Sequence, residues 1–352
     1  MPLPDALREL LTAHGPSGRE EAPAAVFRRH AEGFGAEVEI DTLGSTSARV
    51  AGTGEGPTIA IVGHLDEIGL IVTYVDDKGF LWFAGVGGWD PIVLVGQRVV
   101  VTTREGAIPG VVARKPIHLL TPDDRKKVPE LRDLHIDVGA ADGDAAKALV
   151  RVGDVAVIDG EPVELPGDRF AARSMDNRLG CFVALEAARL VAEAGGAPGD
   201  VVAVGTAQEE TELAGAQTSP YGLRPDLAII VDVTHATDVP GVDERENGSH
   251  ALGSGPVLNR ASSLHPAIFE LLHDTAEREG IPVTIEASGR YTGTDADAIQ
   301  LSRAGVPVGL VGLPLRYMHS PVEMVQLSDV DAAARLIAAF CRELAPGTLF
   351  GR

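Results

Sequence analysis

Thiols are nearly absent from this chain. Its 352 residues include two cysteines, Cys181 and Cys341, each in an apolar, helix-like stretch (GCFVALEAARL and LIAAFCREL). It can therefore build neither a disulfide framework nor a cysteine-ligated zinc site, and a reducing compartment suits it. Positive charge is scarce as well: 30 Lys and Arg stand against 51 Asp and Glu, a formal balance of −21, with no basic run. Nucleic acids and anionic membranes both call for a basic face, so neither is expected as a partner. Nothing approaches the ~20 apolar residues of a membrane-spanning helix. The run AGVPVGLVGLPL, Ala304 to Leu315, is short and broken by Gly and Pro. The N-terminal MPLPDALRELLTAHG mixes charge into an amphipathic pattern and lacks the apolar core of a secretory signal. The expectation is a soluble, cytoplasmic protein. Several catalytic signatures are missing too: no phosphate loop of the Gly-x-x-x-x-Gly-Lys-Ser/Thr type, no Gly-x-Ser-x-Gly elbow and no His-Glu-x-x-His helix. Gly52, Gly54 and Gly56 precede a strand instead of opening a helix and read as a turn.

What is present alternates in character along the chain. Residues 4–14 and 19–33 carry helical apolar spacing, with Ser17 or the turn after it as a cap for the second. TIAIVGH is a buried strand. From Leu70 to about Ile158, short β-branched runs (LIVTYV, FLWFAG, QRVVVTT, IPGVVA, DVAVID) lie between Gly, Asp and Pro turns, the pattern of a small all-β module. Beyond Pro166 strands and helices take turns: helix 176–194, strand 200–206, helix 212–221, strand 226–233, helix 264–279, strand 282–287, helix 295–304, strand 306–313 and helix 328–344. This alternation predicts an α/β fold, a mostly parallel sheet flanked by helices, interrupted by an all-β insertion. The expected division is 1–69 and 164–352 for the α/β domain and 70–163 for the insertion.

The charge balance has two readings, a solvated acidic surface or carboxylates gathered around a cation, and the total does not choose between them. Position is more informative. His64-x-Asp66 ends a buried strand, where residues two apart share a face, and a carboxylate beside an imidazole is how proteins orient a metal-binding histidine. A satisfied core histidine is the plainer alternative. Asp176 opens a long helix as a ligand or simply as its N-cap. Glu209 and Glu210 follow the apolar strand VVAVGT, Asp232 closes LAIIVDV, and His319 follows VPVGLVGLP. Each could be a surface residue alone. Together they bring acids and imidazoles to the C-terminal edge of presumed parallel strands, where open α/β sheets bind ligands. Oxygen and nitrogen donors without thiolate suit zinc, cobalt or manganese. The five donors His64, Asp176, Glu210, Asp232 and His319 exceed one open tetrahedral site and fit two divalent metals sharing a carboxylate.

The segments GHLDEIGLIV, GGWDPIVLVGQRV, KPIHLL, SMDNRLGC, GTAQEETELAGAQTS, IIVDVTHATDVPG, GTDADAI and PLRYMHSP resemble, in order, the glutamyl-aminopeptidase-like TET (tetrahedral) aminopeptidases, peptidase family M42. The resemblance runs from about Gly15 to Asp329. It implies a zinc-peptidase-like α/β domain with an inserted β-barrel-like dimerisation domain, dimers assembling to a hollow dodecamer, and removal of N-terminal residues from small peptides with a free N-terminus. It also implies two metals, zinc or cobalt before manganese: His64 and Asp232 on one, Glu210 and His319 on the other, and Asp176 bridging. Glu209 would be the general base working with a metal-bridging hydroxide, and Asp66 the carboxylate orienting His64. A metal-dependent deacylase and an endoglucanase-type glycosidase are the alternatives; the second leaves His64 and His319 without a purpose. One departure is local. Where members commonly continue Val-Gly-Leu-Arg-Gly-Ala after the paired glutamates, this chain has Thr211-Glu212-Leu213-Ala214-Gly215-Ala216. Side-chain preference stays open: Arg290 or Arg316 would suit an acidic substrate, Glu212 or His235 a basic one.

Overall fold

Continuous apolar runs need cover on both faces, and a central sheet supplies it. A computed structural model describes residues 1–345, 347, 348 and 350; the last positions assigned to the α/β domain, 346, 349, 351 and 352, lie outside the described residues. Eight strands form the main sheet in the spatial order Glu37–Ile40, Thr46–Val50, Val201–Thr206, Ile59–His64, Leu227–His235, Val308–Leu315, Val257–Ala261 and Thr284–Ser288. Its four inner strands, from Val201–Thr206 to Val308–Leu315, are mutually parallel, and on each side the adjoining strand, Thr46–Val50 or Val257–Ala261, runs antiparallel to them. The strands Ile59–His64, Val201–Thr206 and Val308–Leu315 are buried along their whole length, as parallel strands under helices must be. Alternation sends Ile59, Ile61, Val201 and Ala203 into one core and Ala60, Val62, Val202 and Val204 into the other. On the first face the helix Met175–Glu193 packs against the sheet and against Leu327–Glu343.

Between Ile59–His64 and the next strand of this sheet the chain makes a second, separate structure. Strands Gly69–Val75, Phe80–Val86, Leu134–Asp137, Gly106–Arg114, Arg98–Thr103 and Val155–Ile158 close into an antiparallel barrel in that order. Closure removes the exposed edges that six short strands would otherwise present. Leu70, Val72, Leu81, Phe83, Val99, Val101, Val112, Leu134 and Ile136 fill it.

Several local expectations are corrected. The helix expected at 212–221 begins at Ala214, because Gln208 and Leu213 both adopt positive φ and split off a single turn, Glu209–Glu212. The one expected at 295–304 is a single turn, Ala296–Ile299. Strands Val257–Ala261 and Glu323–Gln326 were not foreseen; each is too short to show a period. Ser17 caps nothing, since the second helix starts after Glu20 without a side-chain cap. Asp176 is no cap either: it and Asn177 are non-helical, the regular helix runs on after them, and it is Asn177 Oδ1 that accepts the Gly180 N–H. Asp66 lies past the end of its strand at His64, so strand alternation does not account for its place beside the histidine. Both cysteines are buried free thiols. Among the described residues no helix is long and apolar enough to cross a membrane.

Candidate metal centre

The parallel strands end side by side, and each brings a titratable residue at, near or just past its C-terminal end. His64 closes its strand opposite Thr206, Glu209 and Glu210 follow Thr206 after a tight turn, Asp232 sits in Leu227–His235, and His319 lies just past Val308–Leu315. Asp176 arrives from the helix that packs across them. Gly63 and Gly180 make that approach possible: a Cβ on Gly180 would stand 2.4 Å from the carbonyl oxygen of Val231, and one on Gly63 would stand 2.4 Å from the backbone of Gly180. Asn177, joined to Asp176 by a cis peptide, donates from Nδ2 to the Val231 carbonyl at 2.8 Å and accepts from Gly180 N–H at 2.9 Å. Cys181 Sγ donates to the His64 carbonyl at 3.0 Å, so the helix start and the strand end are tied together.

Asp176 divides its carboxylate between two imidazoles. Oδ1 stands 3.1 Å from His64 Nε2 and Oδ2 stands 3.4 Å from His319 Nε2. His319 Nε2 is also 3.3 Å from Glu210 Oε1, and His64 Nε2 is 3.7 Å from Glu209 Oε2. Donor atoms of His64, Asp176 and Glu210 lie within 4.8 Å of one another, as do those of His64, Glu209 and Asp232. The far nitrogens are held by oxygens. His319 Nδ1 meets the carbonyl of Gly88 at 2.9 Å, and His64 Nδ1 meets the carbonyl of Asp66 at 3.2 Å with its carboxylate at 3.4 Å. A carbonyl acceptor fixes a proton on Nδ1, so Nε2 of each ring is the nitrogen turned toward the centre and the one a metal would take.

This centre is buried and short of positive charge. His64, Asp66, Asp176 and Asp232 are all buried, while His319 stands at the rim with about a third of its side chain exposed. Burial, opposed by His64 and reinforced by Asp232, Asp295 and Glu210, pushes Glu209 up to about 10. Burial likewise holds Asp232 well above the usual carboxylate range and raises Glu210, which Asp176 raises further. Burial works to lower His64, but Glu209, Asp176 and Asp66 outweigh it and keep it well above its ordinary value. Hydrogen bonds to Asp176 and Glu210 carry His319 up to about 11. Asp176 is lowered because both histidines overcome its burial. Glu210 Oε1 is a buried oxygen whose 3.3 Å contact with His319 Nε2 is an ion pair poorly aligned for a hydrogen bond. A buried, poorly matched acceptor amid hard oxygen and imidazole donors fits divalent metal, which would offset the cost of burying these carboxylates together.

Beside the centre opens a cavity of about 600 Å³ whose lining includes Glu212, His235, Glu286, Tyr291 and Asp297 and contains no lysine or arginine. Arg316 does not reach it as a free cation: its guanidinium grips the Asp238 carboxylate at 3.1 and 2.5 Å. Arg290 is not among the lining residues.

Three residues of consequence escaped the sequence reading. Glu323 is 2% exposed and accepts the N–H of Asp176 at 3.2 Å on one oxygen and that of His319 at 2.9 Å on the other. Its one signal is its place four residues beyond His319 in HSPVE. Ser17 and Glu20 reach the same neighbourhood from the N-terminal segment.

The family model for M42 glutamyl aminopeptidase matches residues 44–336. The chain belongs to this family. Its members are metal-dependent aminopeptidases, exopeptidases that hydrolyse peptide bonds. A lysyl aminopeptidase of Pyrococcus furiosus is 33% identical over 88% of this chain and 88% of its own length. The crystal structure of a TET aminopeptidase from Thaumarchaeota archaeon SCGC AB-539-E09 superposes with a TM-score of 0.92 at 36% identity, covering 97% of this chain and 96% of that one. The TET1 peptidase of Pyrococcus horikoshii, described as assembling into a tetrahedron or a large octahedral shell, gives 0.84 at 30% identity over 97% and 99%.

Proposed function

We propose that this M42 member is a dinuclear aminopeptidase in which His64 and Asp232 hold one divalent ion, His319 and Glu210 the other, and Asp176 both. The observation that carries the reading is the divided Asp176 carboxylate, one oxygen toward each Nε2. Zinc or cobalt suits the donor set first and manganese next. When bound, such ions acidify water to a usable nucleophile near neutral pH and polarise the scissile carbonyl.

The remaining chemistry falls to the chain. Glu209, buried beside His64, is the general base: it takes a proton from the attacking water as the carbon–oxygen bond forms and delivers it to the amine nitrogen as the carbon–nitrogen bond breaks. Asp66 orients His64. The acid-lined cavity recognises a free α-ammonium group, which explains cleavage from the N-terminus. The same lining makes acidic N-terminal residues the poorest substrates and basic ones the best. The related TET assemblies and the inserted barrel support a homo-oligomer, with dimers formed through residues 70–163 building a dodecamer. Two buried free thiols suit work in the cytoplasm.

The test is a panel of chromogenic aminoacyl substrates and their N-acetylated counterparts, given to protein stripped and then reloaded with zinc, cobalt or manganese. Only the free amines should be cleaved, and lysyl and arginyl compounds should exceed glutamyl. Equal cleavage of blocked substrates would favour the deacylase alternative, and chelator-resistant glucan hydrolysis the glycosidase.

A further inference from the structure

The turn that carries Glu209 is held from behind. Gln208, Glu209 and Glu210 present three consecutive backbone N–H groups to two buried carboxylates. Gln208 N–H donates to Glu20 Oε1 at 3.1 Å, Glu209 N–H to Asp66 Oδ1 at 3.0 Å, and Glu210 N–H to Asp66 Oδ2 at 3.1 Å. Gln208 has a φ of 58°, a left-handed conformation that a non-glycine residue keeps only where its surroundings impose it. The second oxygen of Asp66 also accepts from the Ser17 hydroxyl, and Glu20 Oε1 accepts Gly18 N–H at 2.6 Å. Residues 15–17 are in turn paired to Glu67 by main-chain bonds of 3.1 and 3.2 Å. Glu20 is 4% exposed and Asp66 fully buried. Although Glu20 stands at the start of a helix, its side chain makes no cap bond there. It reaches instead to a residue 188 positions away. Ser17 and Glu20 lie outside the span, residues 44–336, that the family model matches.

We propose that Glu20, with Ser17 behind Asp66, is a positioning residue that fixes the orientation of the Glu209 turn. The proposal rests on Glu209 being the general base. Without Glu20, Gln208 N–H loses its acceptor, and the left-handed turn relaxes and carries the Glu209 carboxylate with it. Proton transfer is sensitive to such shifts: a displacement near 1 Å can cost about a hundredfold in rate. Burial pushes Glu20 up to about 7, so a neutral amide is a close replacement for it.

The test compares Glu20→Ala, Glu20→Gln and Ser17→Ala in the full chain, loaded with metal. Glu20→Ala should lower kcat by about tenfold or more while KM and metal ions per chain stay at the parent values. Glu20→Gln keeps a carbonyl oxygen for both N–H groups and should recover most of that loss. Ser17→Ala should lower kcat by a smaller factor, again with KM and metal content unchanged. Parent-level kcat in Glu20→Ala would overturn the proposal, and so would loss of metal in Glu20→Ala and Glu20→Gln alike. Should Glu20→Ala fail to fold, Ser17→Ala decides, and a parent-level kcat there counts against the latch. Glu209→Gln run in parallel separates the two ideas. If it is inactive and Glu20→Ala is fully active, only the latch fails; if it is itself active, the base assignment fails with it.

Discussion

The C-terminal edge of the sheet and the interior of the barrel are built on opposite principles. The barrel interior is apolar throughout, with Leu81, Val101, Leu134 and Ile136 fully buried and no titratable group in its core cluster. The sheet edge buries His64, Asp66, Asp176, Asp232 and Glu323 in one chain of neighbouring contacts. One region is stabilised by non-directional burial, which tolerates exchange of similar volumes. The other is tolerated because its buried charges lie beside partners of opposite sign, and the partner of Glu210 Oε1 is poorly aligned. The two meet where the Gly88 carbonyl, at the end of a barrel strand, receives His319. Substitutions should therefore separate cleanly: loss of chemistry without loss of fold at the edge, loss of fold without loss of chemistry in the barrel.

The sharpest break is Glu209→Gln. It should reduce turnover by about a thousandfold or more, in line with the loss of a general base, while circular dichroism and metal content stay at parent values. Next comes Asp176→Asn. By weakening the carboxylate shared between two histidines it should lower the metal bound per chain and lower Tm in the presence of added metal, which elemental analysis and thermal unfolding would read. In the barrel, Ile136→Ala should cost about 2–5 kcal/mol of unfolding free energy, yet the surviving folded protein should keep its kcat and metal content. A proportional fall of kcat there would erase the contrast.

The smallest effect concerns His250, away from the metal centre. Its Nδ1 meets Thr284 Oγ1 at 2.7 Å, and burial, against a weaker opposing pull from Glu286, lowers its proton affinity. The unfolded chain binds a proton near pH 6.5 and the folded one resists it, so this stability contribution is complete above that pH and is lost as pH falls below it. Urea midpoints at pH 5.5 and 7.5 should differ less in His250→Gln than in the parent.

How much of this was legible depended on the range of the interaction. Glu209, Glu210 and Asp232 could be read because each ends an apolar strand, a local signal. Asp176 could not be told from a helix cap by position, and family resemblance supplied its role; in space it is the close contact of Gly63 with Gly180 that brings it to His64. Glu323, Ser17 and Glu20 were invisible. Each acts by a side chain bonding to distant groups, 147 positions away for Glu323 and 188 for Glu20, and no period or spacing records such a bond. The helix expected at 212–221 failed for a related reason, since the positive φ values at Gln208 and Leu213 belong to the turn that carries Glu209 and Glu210 and are not set by helix propensity.

Alone, the sequence determined which strands are buried on both faces, that oxygen and imidazole donors would meet without thiolates, and to which family the chain belongs. Those properties are written in composition, run length and local order. The tertiary structure alone decided that Asp176 would face two imidazoles, that Arg316 would be taken by Asp238, and that the N-terminal segment would brace Glu209. The donors come from five separate stretches of chain, and only the parallel register of the sheet and the glycine contact beneath the helix set the distances among them.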